Sequence, residues 1–433
     1  MGSHPDPKIA IAGGGPAALT LGALLHQHNI PFKIIDLRPK PTADELDQPS
    51  GMLDLHVESG QAAIRACGLW DKFLPLTADC EESMVIADKD GTVLHADEGG
   101  LASRPEIARH NITRLMLGVV PQDAIHWGHK IISARRDDES TGKTTLELQT
   151  EDGRTVSETF DMVVGADGAW SKVRALLTDM KPEPSKLHYV TLTIKHVTSR
   201  FPALAQRVGK GTYIALANGH GLASQRGAQD SSMVTFFIND ADVGVDHVAK
   251  LTELTTAELR RALLEDDRLF GEFGLKLKEL ANIAFDEEIK EKGTRAKLDI
   301  KPLVALPAGY QWETKSGVTL IGDAAHVMLP TAGEGVNCAM WDALDLSEVI
   351  IQAWEQAHHA HPRTFREVVD PLMRDFEAKM LTRSGEFSQE AAGNAEMMFG
   401  KEGAKGMMNF MAAAFRNALE EGSGGSVELD SVS

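Results

Sequence analysis

The first forty residues restrict the fold more than any other part of the chain. KIAIAGGGPAALTLGALLHQHNIPFKIIDLRPK (8–40) reads as strand, glycine-rich turn, helix and strand. Apolar residues lead into Gly13-Gly14-Gly15, and Pro16 suits a first helical turn, where a missing N–H costs nothing. Leu19, Ala23 and Leu24 give that helix one apolar face, Asn29-Ile30-Pro31 ends it, and FKIID supplies the next strand. Two strands joined through a helix lie parallel, so the chain opens a parallel sheet that needs helices to cover it.

The turn also carries chemistry. Gly13-x-Gly15-x-x-Ala18 lets backbone N–H groups approach a pyrophosphate at a helix N-terminus, with Pro16 and Ala17 in the first turn and Ala18 small enough for close helix–strand packing. Asp36 follows Gly13 by 23 residues, at the end of the second strand, where a carboxylate binds a ribose hydroxyl. Arg38, two residues on, reads either as a neutraliser of an adenine-side phosphate or as a solvated surface arginine. Together these predict dinucleotide binding.

Further along, MVIADKDGTVLHA (84–96) reads as a hairpin turning at Lys89-Asp90-Gly91, and 144–168 as a second hairpin followed by a buried strand ending at Asp167-Gly168. Strand patterns at 189–197, 211–217 and 233–239 lack helices between them and predict an antiparallel middle region. Residues 249–282 turn helical, the parallel pattern returns at 317–323, and 363–421 is helical with Met and Phe on one face. The Gly/Ser-rich end, 422–433, reads as a disordered tail.

Two more segments belong with the first. GADGAWSKVR (165–174) ends a strand at Asp167 and opens a helix at Ser171. GDAAHVMLPTAGEGVN (322–337) places one carboxylate, Asp323, at a strand end, then Pro330, Gly333, Gly335, Val336 and Asn337 at a helix start. A carboxylate there accepts hydrogen bonds from a polyol such as the ribityl chain of a flavin. The bare amides of the helix start suit a flat ring that becomes anionic on reduction.

In this order and at these separations the three segments resemble the FAD-dependent aromatic hydroxylases (class A flavoprotein monooxygenases). SGMLDLHVESGQAAI (50–64) and RPEIARHNITRLML (104–117) look most similar to their tetracycline-inactivating subgroup. The resemblance implies an α/β fold, with a Rossmann-like FAD-binding domain interleaved with a smaller antiparallel-sheet substrate domain and a long C-terminal helix. Residues 7–69, 105–180 and 293–350 would form the FAD-binding domain, 70–104 and 181–292 the substrate domain, and 363–421 the C-terminal helical segment.

It also implies that Asp36, Asp54, Arg109 and Asp323 contact FAD, and that the flavin rather than a protein nucleophile or metal carries the chemistry. NADPH or NADH would serve as reductant and O2 as co-substrate. His56 and His326 lie inside matched motifs and read as structural. The substrate would lie against the middle sheet, near Thr191, Tyr213, Met233 and Phe236. Here the pattern departs from the subgroup: Thr191 stands where a Gln aligns, Arg226 is out of register, and Asp47 falls near an expected Arg. The substrate class implied is an aromatic or polycyclic small molecule.

Composition narrows the alternatives. A chain of 433 residues suggests two or three domains. Its net charge of −19 argues against nucleic acid or an anionic membrane as partner. No apolar run is long enough to span a bilayer. Three cysteines without metal or redox spacing fit a cytoplasmic location, and the 16 histidines show no metal-ligand spacing. A monomer is expected. A flavin-dependent reductase or oxidase on the same scaffold, or a flavin-binding interaction protein without turnover, are the competing readings. The six tryptophans contain no Trp-x-Trp pair, which sets a halogenase aside.

Overall fold

Five short apolar strands form the expected parallel sheet. In the computed structural model, which describes residues 6–99, 103–137, 142–359 and 364–423, their order across the sheet is Val318–Leu320, Met162–Gly165, Ile9–Ala12, Phe32–Ile35 and Ile125–His126. Every neighbouring pair runs parallel. Ile9–Ala12 and Met162–Gly165 are buried along their whole length, as parallel strands covered on both faces must be. The helix Pro16–Gln27 packs beside Gly335–His359, and both bury their apolar sides in the core around this sheet.

A seven-stranded sheet forms the second layer, in the order Lys301–Ala305, Glu183–Ile194, Ser231–Asn239, His220–Gly227, Thr212–Ala217, Met84–Ala87 and Val93–Asp97. It is antiparallel except where Thr212–Ala217 meets Met84–Ala87. The 84–97 hairpin forms as the sequence predicts. Asp88 Oδ1 accepts from the Asp90 and Thr92 N–H groups to close its turn. Strand Lys301–Ala305 joins the edge of this sheet by pairing with Glu183–Tyr189.

Alternation gives the sheet two different faces. Val190, Leu192, Tyr213, Val234, Phe236 and Ile238 pack with the helices Val245–Leu251, Thr256–Glu265 and Leu275–Lys292. Ile214, Leu216 and Phe237 point the other way and meet Phe399 and Met407 from the C-terminal region. This corrects the expectation for Tyr213 and Phe236. Both lie on the helix-covered face, 1% and 0% exposed, so they are core rather than cleft residues. Thr191 and Met233 are on the opposite face, with Thr191 Oγ1 3.0 Å from Thr235 Oγ1.

Two smaller sheets complete the strands: Lys130–Arg136, Thr144–Gln149 and Thr155–Phe160 form one, and Met52–Asp54 pairs with Glu106–Ala108 in the other. The 363–421 region is two helices, Phe365–Met398 and Gly403–Ser423, separated at Phe399–Glu402. Residues 424–433, most of the expected tail, lie outside the described residues.

Candidate functional site

The C-terminal ends of the parallel strands gather the three motif segments. Gly13 adopts φ +100°, and a Cβ there would sit 2.2 Å from the Ala166 carbonyl oxygen. Only glycine lets the first turn pass so close to the second motif. Gly15, the N-cap of the first helix, has open space where its Cβ would be. Beyond the turn Asp36 is nearly buried and holds Arg38 with both oxygens, at 3.0 Å to Nε and 2.8 Å to Nη2. The two residues expected to serve the adenosine end are therefore preorganised as one bidentate pair.

Asp167 supplies a more direct sign of a missing partner. Its Oδ2 accepts from the Lys172 N–H at 2.7 Å, while Oδ1 is buried with no hydrogen-bond partner among the described residues. Burial pushes this carboxyl above its ordinary range. Arg174, 3% exposed, then ties the second motif to the third by donating to the carbonyls of Ala169, Asp323 and Ala324 at 2.8, 3.0 and 2.8 Å. The Asp323 side chain stays exposed at the start of the short helix Asp323–His326.

The loop from Pro330 to Asn337 is held by Leu53-Asp54-Leu55-His56. Asn337, fully buried, accepts from the His56 N–H at 2.9 Å and the Ser59 hydroxyl at 3.2 Å. It donates to the Asp54 and Gly333 carbonyls at 3.0 and 3.3 Å. His56 lies between two carboxylates, with Nε2 3.0 Å from Asp54 and Nδ1 3.2 Å from Glu334. Burial alone would lower its pKa, but hydrogen bonds to Asp54 and Glu334 outweigh it and raise the pKa to about 9. Gly333 takes φ +72°, and Gly335 has open space at its Cβ position, with Val336 half-buried beside it. Arg109 is exposed at the start of the helix Arg109–Leu117, directly after the strand Glu106–Ala108 that pairs with the Asp54 strand.

A buried polar cluster fixes this loop from behind. Asp342 accepts from the Gly322 N–H at 2.9 Å, lies 2.5 Å from His326 Nε2, and pairs with Arg383 at 2.9 Å. His326 is held above and Asp342 below its ordinary pKa; burial opposes both shifts, and their mutual attraction overcomes it. Arg383 also pairs with Asp345, and Asn394 donates to the Thr331 carbonyl, so the helix Phe365–Met398 braces the third motif.

The face of the large sheet that carries Thr191 and Met233 meets the ribbon at Glu106. This buried carboxyl accepts from Gln225 Nε2 at 3.1 Å, and it stands across the ribbon from Asp54. Burial is the main cause that raises its pKa, to about 7. Arg226 points away and pairs with Asp230 and Thr198. Asp47 pairs with Arg114 on the surface. Sequence reasoning missed Glu106, Gln225, Glu334, Asp342 and Arg383; of these, Glu106 and Glu334 lie inside quoted motifs, where their acidity was the available signal.

The open positions at Gly15 and Gly335, the exposed Asp323 and the orphaned Asp167 oxygen suit an elongated, phosphate-bearing ligand with a flat ring. No group of three His, Cys, Asp or Glu among the described residues is arranged to hold a metal, and no described helix is long and apolar enough to cross a membrane.

Residues 6–270 and 308–373 match the family described as FAD binding domain. The chain is 34% identical over 400 residues to monooxygenase penA of Penicillium thymicola, covering 86% of this chain and 90% of that protein. It is 33% identical over 374 residues to monooxygenase asqM of Emericella nidulans, covering 79% and 83%. A salicylate hydroxylase substrate complex superposes with a TM-score of 0.68 at 15% identity, covering 95% of this chain and 94% of that one. That likeness shows the fold, which is the α/β architecture of the class A flavoprotein hydroxylases.

Proposed function

Because this chain belongs to the FAD binding domain family, with monooxygenases as relatives, we propose that it is an FAD-dependent monooxygenase that oxygenates an aromatic or polycyclic small molecule. The observation that carries the reading is the meeting of three distant segments at the C-terminal ends of the parallel strands; the face of the large sheet that carries Thr191 and Met233 is the proposed substrate side. NADPH or NADH is the proposed electron donor and O2 the source of the inserted atom. The similarity of 50–64 and 104–117 to the tetracycline-inactivating subgroup makes a tetracycline-like polyketide one member of the proposed substrate class. A cytoplasmic monomer, with the domain division given by the resemblance, completes the proposal.

The residues fall into definite roles. The first helix N-terminus, from Gly13 through Ala18, would hold the pyrophosphate. Asp36 and Arg38 would hold the adenosine side, and Asp323 the ribityl hydroxyls. Asp167 would complete its empty hydrogen-bonding capacity on the cofactor, and Arg109 would neutralise charge along it. The loop Pro330–Asn337 would lie against the ring. When bound, FAD supplies electron transfer from the nicotinamide and delivery of one oxygen atom to the substrate. The chain itself orients the two reactants and excludes water from between them. Glu106, whose pKa burial raises to about 7, is proposed as the group that holds or accepts a proton of a phenolic substrate.

The test is a spectrum followed by turnover. The purified protein should absorb near ~450 nm, as bound flavin does. Aromatic additions, among them salicylate and a tetracycline, should then raise NAD(P)H consumption and incorporate oxygen. A colourless protein that stays colourless in excess FAD sinks the proposal. NAD(P)H-driven turnover that ignores O2 would favour the reductase instead.

A further inference from the structure

The charge at the ring end of the cradle depends on a proton that the fold traps between two acids. Only 2% of His56 is exposed. Its Nε2 lies 3.0 Å from Asp54 Oδ2 and its Nδ1 lies 3.2 Å from Glu334 Oε1. An ionised carboxylate only accepts, and a neutral imidazole has one N–H. With a carboxyl oxygen against each ring nitrogen, the geometry favours the doubly protonated ring, which would bring the net charge of the trio to −1 rather than −2.

Its position gives that charge something to act on. Glu334 lies between Gly333 and Gly335, at the start of the helix Gly335–His359. Asp54 shares the Asn337 clamp with the same loop through its carbonyl. The other charges nearby are the exposed Arg104, which opposes a cation on His56, and Glu106 across the ribbon from Asp54. Resting on the FAD reading of this loop, we infer that His56 is a buried imidazolium that offsets Glu334 and Asp54 and so sets the electron affinity of the bound flavin. His56 is a positioning and charge-balancing residue. The pKa raised to about 9 agrees with a cation at neutral pH.

Sulfite tests this without any substrate. It adds its sulfur lone pair to an oxidised flavin and leaves the ring anionic, so its affinity reports the local charge. The holoprotein is titrated with sulfite at pH 8, and the midpoint potential is measured in parallel. In His56→Gln the sulfite Kd should rise about tenfold, equivalent to a fall of about 30 mV for a two-electron couple. In Glu334→Gln the Kd should fall by a similar factor, because an anion is lost. The double variant should return close to wild type.

Opposite signs in the two single variants support the inference, because a purely structural role would not produce them. Shifts of the same sign, or none beyond twofold in variants that hold FAD, overturn it. Should His56→Gln fail to retain FAD, Glu334→Gln alone decides by its sign. A wild-type protein that binds no FAD defeats the function proposed above instead, so the two failures are distinguishable.

Discussion

At the scale of single residues, the site combines strict geometry with unusual proton affinity. Gly13→Ala would place a methyl 2.2 Å from the Ala166 carbonyl oxygen in a backbone with φ +100°. The two motif turns would have to separate, so the variant should be destabilised by more than about 1 kcal/mol and purify without yellow colour. A fully loaded Gly13→Ala protein would refute the assigned role. Glu106 makes a pH prediction. Its pKa is raised from the ordinary glutamate range to about 7, chiefly by burial. The folded state therefore binds the extra proton between those values. The stability from this group is fully present below the unfolded pKa and is lost as pH rises through about 7. The loss amounts to at most about 3 kcal/mol. Denaturant unfolding at pH 5 and pH 8 should show a smaller decline in Glu106→Gln than in wild type. Equal declines would mean that Glu106 titrates normally.

At the scale of elements, alternation along one strand separates the proposed substrate face from the helix-covered core face. Met233 and Phe236 are three residues apart in Ser231–Asn239 and lie on opposite faces. Phe236→Ala should cost about 3–5 kcal/mol of stability while leaving substrate preference unchanged. Met233→Ala should alter KM across an aromatic panel with little effect on melting. The reverse pattern would exchange the two faces. The helix Phe365–Met398 offers a second test, since Arg383 reaches the buried Asp342. Removing one member of such a pair leaves an unpaired buried charge, so Arg383→Met should destabilise by about 3–5 kcal/mol and weaken FAD affinity through Gly322 and His326.

The same contrast explains what the sequence disclosed. The βαβ opening and the 84–97 hairpin were legible because propensity, turn residues and spacing are local, whereas the helix expected to open at Ser171 is only the 3-10 turn Arg174–Leu176. Strand His220–Gly227 was not, because Gly221, Ala223, Ser224 and Gly227 blunt its alternation. Glu106 opposite Asp54, and Arg383 against Asp342, were illegible because each contact joins residues far apart in the chain. The face of a strand depends on what packs against it, which explains why Tyr213 and Phe236 read as cleft liners.

At the scale of the whole molecule, the cradle is assembled from segments that share no local structure. The first motif sits on the parallel sheet, the Asp54 ribbon on a separate two-stranded unit, and the Pro330–Asn337 loop on a helix braced by the C-terminal region. A ligand touching all three binds only where they are already together, so it stabilises the folded chain and not the unfolded one. At a free FAD concentration of 100 times Kd the gain is about 2.7 kcal/mol. Calorimetry of the apoprotein should therefore show its melting rise with FAD concentration, continuing to climb after the site is saturated as mass action requires. A variant in the loop should weaken that dependence. Asn337→Leu removes three hydrogen bonds that close the loop onto 54–59 and a fourth, to the Gly333 carbonyl, within the loop itself. Its apoprotein should melt lower, and added FAD should restore less than in wild type, because part of the binding energy must first reassemble the loop. A variant that melts lower yet responds to FAD as fully as wild type would show that the ring end contributes nothing to holding the cofactor.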